Sequence, residues 1–278
     1  MQLGVFAKTF ERDTLEANLD AVRESGFQCT QYNLDCAGLP TLPDEVSPEL
    51  CQQIRDAHAD RGLTMAALSG TFNIIHDDRD ELEANFRRLE ILAQACAALG
   101  TDVITLCTGT RDQRYMWRAH PDNGTAAAWQ DVVASMRRIA DIAEANDVYV
   151  GIEPEVNNVV DTAEKARRLI DELGSPRVKV VMDGANLFHS GQLQRMHEVL
   201  DEAFAHVGRD IVIAHAKDLS HDGDAGHEAA GTGLLDYDYY LNLLWQSSFD
   251  GPLITHGLTE AQVPLCVEFL QGKLASLT

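Results

Sequence analysis

Four apolar segments in the second half of the chain each end at a carboxylate or an imidazole side chain. The residues at these ends are Glu153, Asp183, His215 and His256. One such residue alone is typical of a helix cap, a surface group or a hydrogen-bonded packing residue, but the ending recurs in four successive segments. Two carboxylates and two imidazoles suit Mn²⁺, Co²⁺, Fe²⁺ or Zn²⁺ better than Ca²⁺, which prefers oxygen ligands alone. The pattern therefore predicts that these residues hold one divalent metal ion.

Two further ionisable residues lie two positions beyond predicted metal ligands. Glu155 follows Glu153, and Lys217 follows His215, with one residue between them in each case. Side chains two positions apart point to the same face of a strand, so both are expected to face the predicted site. We expect Glu153 to bind the metal and also to move a proton, with Glu155, Lys217 or His256 as its acid/base partner. The sequence leaves these three partners open.

Short apolar segments alternate with longer helical patterns along the whole chain. The predicted strands span residues 3–8, 28–35, 64–72, 102–108, 148–154, 178–183, 211–216 and 252–257. Several of them are almost continuously apolar, which is typical of parallel strands buried on both faces. Eight strand–helix units predict a single (β/α)8 TIM barrel that occupies residues 1–278 as one domain. A doubly wound open sheet is the alternative, but the chain lacks the glycine-rich phosphate loop that often accompanies it.

The segments between the strands carry helix signals. Apolar residues repeat at helical spacing near 48–61, 80–99 and 125–146. Ser47 followed by Pro48 predicts a helix start, and Asp161 with Glu164 predicts a capping box. In such a barrel the C-terminal ends of the strands surround the active site. The fold would therefore bring the four predicted metal ligands together.

The longest irregular segment, 109–124, is rich in arginine within an otherwise acidic chain. It contains Arg111, Arg118 and Trp117. One interpretation is a lid in which these three residues bind the substrate, with the arginines paired to a phosphate or carboxylate group. The other is a loop that is salt-bridged to the protein's own acidic surface or that contacts another subunit. The sequence favours neither interpretation.

Two more residues near predicted strand ends are candidates for substrate binding. Asn73 could bind a substrate hydroxyl or, equally, cap the next turn. His221 lies in a segment of Asp, Gly and His residues within 219–235. We interpret that segment as a mobile substrate loop rather than as a second metal site.

The composition restricts the classes of partner. The formal net charge of −22 argues against nucleic acid, whose phosphates need Lys and Arg, and against an anionic membrane surface. No apolar run approaches the ~20 residues that cross a bilayer, and no signal peptide precedes the first predicted strand. The six cysteines contain no C-x-x-C pair, which indicates free thiols. We therefore expect a cytoplasmic protein whose partner is a small molecule.

Several short segments carry a resemblance to a known family. They are Ser69-Gly70-Thr71-Phe72-Asn73, Leu106-Cys107-Thr108-Gly109-Thr110-Arg111-Asp112, Met116-Trp117-Arg118 and Glu153-Pro154-Glu155. With the four strand-end residues, they resemble the xylose-isomerase-like barrel superfamily over nearly the whole chain. The most similar group is the bacterial one named sugar phosphate isomerase/epimerase, a name that says little about the substrate.

The resemblance also implies roles for individual residues. Ketose 3-epimerases of this superfamily hold their metal with Glu, Asp, His and Glu from the fifth to eighth strands. Glu153, Asp183 and His215 match the first three positions, whereas His256 stands where the second glutamate is expected. An epimerase histidine and an epimerase arginine that follow the sixth and seventh strands correspond to Asn186 and His221, which we expect to bind substrate.

The activity implied by the resemblance is metal-dependent isomerisation or epimerisation of a small ketose, sugar acid or sugar phosphate through an enediolate. Manganese is the expected metal, with cobalt, iron, zinc or magnesium as alternatives, in a homodimer or homotetramer. His256 in place of glutamate removes one of two opposed acid/base groups and favours a lyase or decarboxylase of an oxidised keto sugar acid. A catalytically inactive barrel that serves as a binding module is the third hypothesis.

Overall fold

The computed structural model describes residues 1–277 and contains eight parallel strands that close into a barrel. Their bounds are β1 Gln2–Phe6, β2 Cys29–Tyr32, β3 Thr64–Ser69, β4 Val103–Cys107, β5 Tyr149–Glu153, β6 Val178–Asp183, β7 Ile211–Asp218 and β8 Pro252–Thr255. Each strand pairs with the next along the chain, and β8 returns to pair with β1. This closure confirms the predicted (β/α)8 barrel and excludes the open sheet.

One α-helix follows each strand and covers the outside of the barrel. The helices are α1 Leu15–Glu24, α2 Pro48–Asp60, α3 Arg79–Leu99, α4 Ala126–Ala145, α5 Ala163–Leu173, α6 Met196–Val207, α7 Tyr237–Gln246 and α8 Val263–Ala275. Among the helices of residues 1–277, none combines the length and the apolar character needed to cross a membrane.

Side-chain caps fix where several helices begin. At α2 the Ser47 side chain accepts a hydrogen bond from the Leu50 N–H, as the sequence predicts. At α5 the predicted capping box at Asp161 is wrong, because the N-cap is Thr162, whose hydroxyl accepts from the Lys165 N–H. Thr162 has the extended backbone from which a hydroxyl reaches an N–H three residues on. Asp161 instead forms an ion pair with the Lys165 ammonium, 2.7 Å away.

The observed strand ends differ from the predicted ones by three residues at β2 and β3 and by two residues at β1, β7 and β8. The predicted strands 28–35 and 64–72 end earlier, at Tyr32 and Ser69. After Tyr32 the Asn33 side chain accepts a hydrogen bond from the backbone and starts a 3-10 turn, which ends the pairing. β7 continues to Asp218 because its last two residues pair with a short antiparallel strand, Glu228–Ala229. This pairing folds the segment that follows β7 back over the barrel.

Apolar side chains fill the lower part of the barrel interior and leave little free space there. The apolar interior consists of Cys29, Ala67, Val103, Val181, Ile213 and Ile254. At Gly4 in β1 a Cβ atom would lie 2.5 Å from Cys29 Sγ and 2.6 Å from Ile254 Cδ1. Buried polar side chains, including Gln31, Ser69 and Thr105, occupy the barrel nearer the C-terminal ends. The strands thus present an apolar lower layer and a polar floor for a cavity above it.

Candidate functional site

The structure brings Glu153, Asp183, His215 and His256 together at the C-terminal ends of β5 to β8. Glu153 and Asp183 are the last residues of β5 and β6, His215 lies within β7, and His256 directly follows β8. One ligand atom from each of these residues can be chosen so that all four lie within 4.8 Å of one another. The arrangement follows from the fold, because Asp183 and His215 are neighbours in the β6–β7 register.

The atoms of this cluster face one another closely. His215 Nδ1 lies 3.5 Å from Glu153 Oε1 and 3.6 Å from Asp183 Oδ2. His256 Nε2 lies 3.0 Å from the same Asp183 oxygen. Asp183 is fully buried, so its charge is not screened by bulk water. Two carboxylates and two imidazoles thus converge on one point.

Nearby positive charges keep the two carboxyl groups ionised. Burial alone would raise their pKa values, but His215 and Lys217 outweigh burial at Glu153, whose pKa is lowered. The pKa of Asp183 is held well below its ordinary value by Lys217, His215 and His256, again against burial. Both residues therefore present negatively charged oxygens to the centre of the cluster.

The two imidazoles differ in charge. Burial opposes protonation of His215, but Glu153 and Asp183 outweigh it and raise its pKa to about 9. Burial, together with the charges of His215 and Lys217, lowers the pKa of His256 to about 4. With no cation present, a proton on His215 thus neutralises part of the carboxylate charge, while His256 stays neutral with a free nitrogen lone pair.

His215 Nδ1 provides a direct test of whether a metal ion fits here. The atom is buried and has no hydrogen-bond partner within residues 1–277, although it points between two carboxylates. A buried polar nitrogen without a partner is rare in folded proteins. A divalent cation among the four residues would satisfy this lone pair and the carboxylate charges together. The donor set therefore fits a metal ion.

Glu155 and Lys217, predicted to face the site, both line the cavity above the cluster. Lys217 Nζ lies 3.2 Å from Asp183 Oδ2. Burial opposes its charge, but Asp183, Glu153 and Glu155 outweigh burial and raise the pKa of Lys217. Burial and the charge of Glu153 raise the pKa of Glu155 to about 8. The cavity thus holds an ammonium group and a carboxyl group that keeps its proton near neutral pH.

The cluster lies at the floor of an open cavity of about 1070 Å³. Its upper wall includes Trp117 and Met116 from one loop and Asp224 and His227 from another. Asn157 joins the two loops, because its amide donates to the Trp117 carbonyl at 3.2 Å and to Asp224 Oδ1 at 2.6 Å. The cavity is large enough for a small sugar-like molecule.

Arg111 and Arg118 do not line this cavity, whereas Trp117 does. The Arg111 guanidinium lies 2.5 Å from Asp131 Oδ2, and Arg118 lies 3.2 Å from Asp112 with 60% of its side chain exposed. Both arginines thus pair with acidic residues outside the cavity, and their role in substrate binding stays a prediction. These ion pairs agree with the alternative of a loop salt-bridged to the protein's own acidic residues.

The remaining residues predicted to bind the substrate, Asn73, Asn186 and His221, contact neighbouring protein groups and do not line the cavity. Asn73 donates to the Thr110 carbonyl and accepts from the Ile75 and Thr110 N–H groups, so it fixes loop backbone as the capping alternative requires. Asn186 donates to Glu153 Oε1 at 2.6 Å and accepts from the Gly226 N–H. His221 is exposed and packs against the ring of His227. Asn186 thus holds the carboxylate of Glu153, a predicted metal ligand. His221 is separated from the cavity by the ring of His227, which lines it.

The residues that line the cavity but were not predicted from the sequence include Phe6, Lys8, Gln31 and Asn157. The ring of Phe6 packs against those of His215 and His256, with centroids 5.7 and 5.1 Å away. A glutamine inside an otherwise buried strand was a usable signal for Gln31. Lys8 and Asn157 follow β1 and β5, where any polar residue of a barrel could have been considered.

Comparisons with known proteins agree with the family resemblance. The sequence model of the family described as "Xylose isomerase-like TIM barrel" matches residues 19–265. A ketose 3-epimerase of Arthrobacter globiformis is 22% identical over 267 residues, which cover 93% of this chain and 83% of the relative.

Solved structures show the same fold at low sequence identity. A D-allulose 3-epimerase of Methylomonas sp., in complex with D-allulose, is 14% identical with a TM-score of 0.72, and the match covers 98% of this chain and 97% of that one. The IOLI protein with a bound zinc atom is 17% identical with a TM-score of 0.72, covering 100% of this chain and 99% of that one.

Proposed function

Because the chain belongs to the xylose isomerase-like TIM barrel family, we propose that it is a divalent-metal-dependent isomerase or epimerase of a small ketose, sugar acid or sugar phosphate. The observation that carries the proposal is the cluster of Glu153, Asp183, His215 and His256 at the floor of the cavity. Relatives named for ketoses and for D-allulose support a sugar-like substrate.

The four clustered residues would hold the metal, and manganese suits their mixture of oxygen and nitrogen donors. When bound, a divalent cation supplies Lewis acidity that stabilises negative charge on a sugar oxygen next to the reacting carbon. The same donor set accepts cobalt, iron, zinc or magnesium. The chain supplies the remaining groups, which are those that orient the sugar and move its proton.

Glu153 is the proposed base. Its carboxylate is ionised and lies at the boundary between the cluster and the cavity, with 15% of the side chain exposed. The amide of Asn186 donates to Oε1 at 2.6 Å and fixes the orientation of the group. In this role Glu153 takes the proton from the carbon beside the sugar carbonyl.

Glu155 and Lys217 are the proposed partners that donate a proton on another side of the sugar. Glu155 has a raised pKa of about 8, so its carboxyl group carries a proton at neutral pH. The Lys217 ammonium is 6% exposed and lies against Asp183. Both groups line the same cavity as Glu153, so a sugar seated above the cluster would be within reach of all three.

One observation favours a second candidate function, a lyase or decarboxylase of an oxidised keto sugar acid. His256 occupies the position at which ketose 3-epimerases of the superfamily carry a second glutamate, and its pKa is lowered to about 4. With this pKa the imidazole is a weak base, and it lacks the negative charge that a second glutamate would bring to the same point. Decarboxylation needs charge stabilisation at the carbonyl but no second base.

The test is metal content by mass spectrometry, combined with incorporation of ²H from D₂O into D-allulose, D-fructose and their phosphates. We expect about one metal ion per chain in the wild type, ²H at the carbon beside the carbonyl, and gain of 3-epimerase activity in His256→Glu. Asp183→Asn should bind metal more than about 100-fold more weakly, while Asp44→Asn, at an exposed ion pair, should not.

Two results would reject parts of this proposal. A wild-type chain that binds none of these metals on titration would indicate a binding module. Bound metal with CO₂ release from keto sugar acids, and no ²H exchange into ketoses, would establish the second function instead.

A further inference from the structure

Gln31 lies on β2, across the barrel from the strand that carries His215. Its side chain is 2% exposed, and it lines the floor of the cavity beside His215. Gln31 Oε1 lies 3.0 Å from His215 Nε2, and Gln31 Nε2 lies 2.8 Å from Thr105 Oγ1. The amide therefore bridges β2 to β7 and to β4 within the polar layer of the barrel.

These hydrogen bonds run in one direction, which starts from a backbone carbonyl that can only accept. The Leu68 backbone carbonyl accepts from the Thr105 hydroxyl at 3.5 Å. The Thr105 oxygen then accepts from the Gln31 amide N–H, which leaves Gln31 Oε1 facing His215. Because this oxygen can only accept, His215 Nε2 must carry a hydrogen.

A hydrogen on Nε2 leaves Nδ1 as the nitrogen with a free lone pair in the neutral imidazole. That is the atom without a partner that points between Glu153 and Asp183. The ring is also held in place by its contact with Phe6, 5.7 Å between centroids. The chain of hydrogen bonds and the orphan nitrogen thus point to the same tautomer from opposite sides of the ring.

We propose that Gln31 is a positioning residue that fixes His215 in the tautomer and ring orientation required to bind a divalent metal through Nδ1. The inference rests on the metal site of the proposed function and adds a residue from the opposite side of the barrel. Partners of this kind on metal-binding histidines affect metal affinity by about 10- to 100-fold. Gln31 would act on the metal through His215, because its amide contacts Nε2 while Nδ1 faces the two carboxylates.

The experiment compares metal affinity in Gln31→Leu, Gln31→Glu and Thr105→Val with wild type. Dissociation constants for Zn²⁺ and Mn²⁺ are measured by competition with a chelating dye, at a temperature where circular dichroism shows each protein folded. Gln31→Leu should bind about 10- to 100-fold more weakly. Gln31→Glu should stay within about fivefold, because its carboxylate still accepts from Nε2–H. Thr105→Val should fall between them, since the amide is then less firmly oriented.

Asn18→Leu is the matched control for loss of a buried amide. Asn18 is 2% exposed and donates to the Ala7 and Phe10 carbonyls, away from the cluster. The Asn18→Leu variant should have a lower melting temperature than wild type but the same dissociation constants for Zn²⁺ and Mn²⁺. The His215 Nε2–H signal in ¹⁵N NMR of the zinc-loaded protein adds a second readout, expected to be protected from exchange in wild type and Gln31→Glu and to exchange rapidly in Gln31→Leu.

The outcomes separate this inference from the proposed function. Wild-type metal affinity in Gln31→Leu, with only a lowered melting temperature, would overturn the positioning role and leave the proposed function untouched. Weakened metal binding in Gln31→Leu would support the role of Gln31 even if the wild-type protein exchanged no proton on any sugar. That second result would count against the proposed function alone. A wild type that binds no metal would overturn both.

Discussion

Lys8 is a cation that faces the cavity without a carboxylate partner among residues 1–277. The chain contains five lysines, and the other four form ion pairs, with Asp161, Asp210, Asp183 and Asp238. Lys8 instead lies over the Phe6 ring, 5.5 Å from its centroid, and lines the cavity wall. Since Phe6 also contacts His215 and His256, Lys8 is placed to meet the far end of a small molecule seated on the cluster.

Replacement of Lys8 by methionine tests whether the substrate is anionic. We expect Lys8→Met to raise KM for a ketose phosphate or keto sugar acid about tenfold, the effect of one lost charge-assisted hydrogen bond. KM for the matching neutral ketose should stay within about twofold. Steady-state kinetics on paired substrates gives both values.

Arg111→Ala is the control for this prediction, because Arg111 pairs with Asp131 outside the cavity. It should leave the ratio of the two KM values unchanged. An equal change for charged and neutral sugars in Lys8→Met would mean that Lys8 does not read the charge of the substrate. A changed ratio of the two KM values in Arg111→Ala would indicate that the loop 109–124 contributes to substrate binding.

At the scale of elements, buried His58 connects helix α2 to strand β2. His58 Nδ1 donates to the Ile54 carbonyl at 2.8 Å, which leaves Nε2 to accept from the Thr30 hydroxyl at 3.1 Å. Burial is the main reason that the pKa of His58 is lowered from 6.5. The native state therefore favours the neutral imidazole, whereas the unfolded chain protonates it with an ordinary pKa.

The lowered pKa of His58 predicts an acid-dependent loss of stability. The contribution of His58 to the free energy of unfolding should be complete above pH 6.5 and fall as the pH drops through 6.5 towards the lower native pKa. The slope due to this residue is at most about 1.4 kcal/mol per pH unit. Urea unfolding of wild type and His58→Gln from pH 5 to pH 8 measures it. Parallel pH profiles for the two proteins would show that His58 does not contribute.

The elements were predictable because the barrel repeats one pattern eight times. Near-continuous apolar segments predicted β4 to β8. The ionisable residues at the ends of β5 to β8 predicted the four-residue cluster, because the C-terminal ends of parallel barrel strands surround one site. The ends of β2 and β3 were not predictable in the same way. There, local hydrogen bonds such as that of Asn33 end the strand before its apolar pattern ends.

Contacts across the barrel and within loops could not be predicted from the sequence. Gln31 and His215 are 184 positions apart and meet only because β2 and β7 face one barrel interior. The partner of Arg111 depends on how the segment after β4 folds against α4, which contains Asp131. Helical or strand periodicity contains no information about either contact. The capping error at Asp161 has the same origin, because two neighbouring polar residues could each begin the helix.

At the scale of the whole molecule, the barrel is closed by the pairing of β1 with β8, which brings together the two ends of the chain. Gly4 pairs with Ile254 in this register, and a methyl group at Gly4 would lie 2.5 Å from Cys29 Sγ and 2.8 Å from the Cys29 carbonyl oxygen. The backbone atom cannot move away without shifting β2. The seam between first and last strands therefore depends on the absence of a side chain at this position.

Gly4→Ala should destabilise the whole barrel by about 1–3 kcal/mol, the range found for overpacked cores. Gly272→Ala is the matched control, because Gly272 lies in α8 and a Cβ there meets no atom within 4 Å. It should stabilise the protein by about 0.5–1 kcal/mol through helix propensity. Differential scanning calorimetry of both variants and wild type measures these changes in stability. Equal stability of Gly4→Ala and wild type would show that the seam relaxes around a methyl group.

The placement of His256 has a consequence for how such a protein can evolve. Three residues of the cluster lie within β5, β6 and β7, where a change of residue also disturbs strand packing, but His256 lies just beyond β8. Its side chain is 20% exposed, and the residue after it is a glycine with φ of 70°. A change of residue at this one position therefore disturbs strand packing less than a change at the other three. Descendants of one barrel can diverge in the reaction they perform while they inherit the same scaffold.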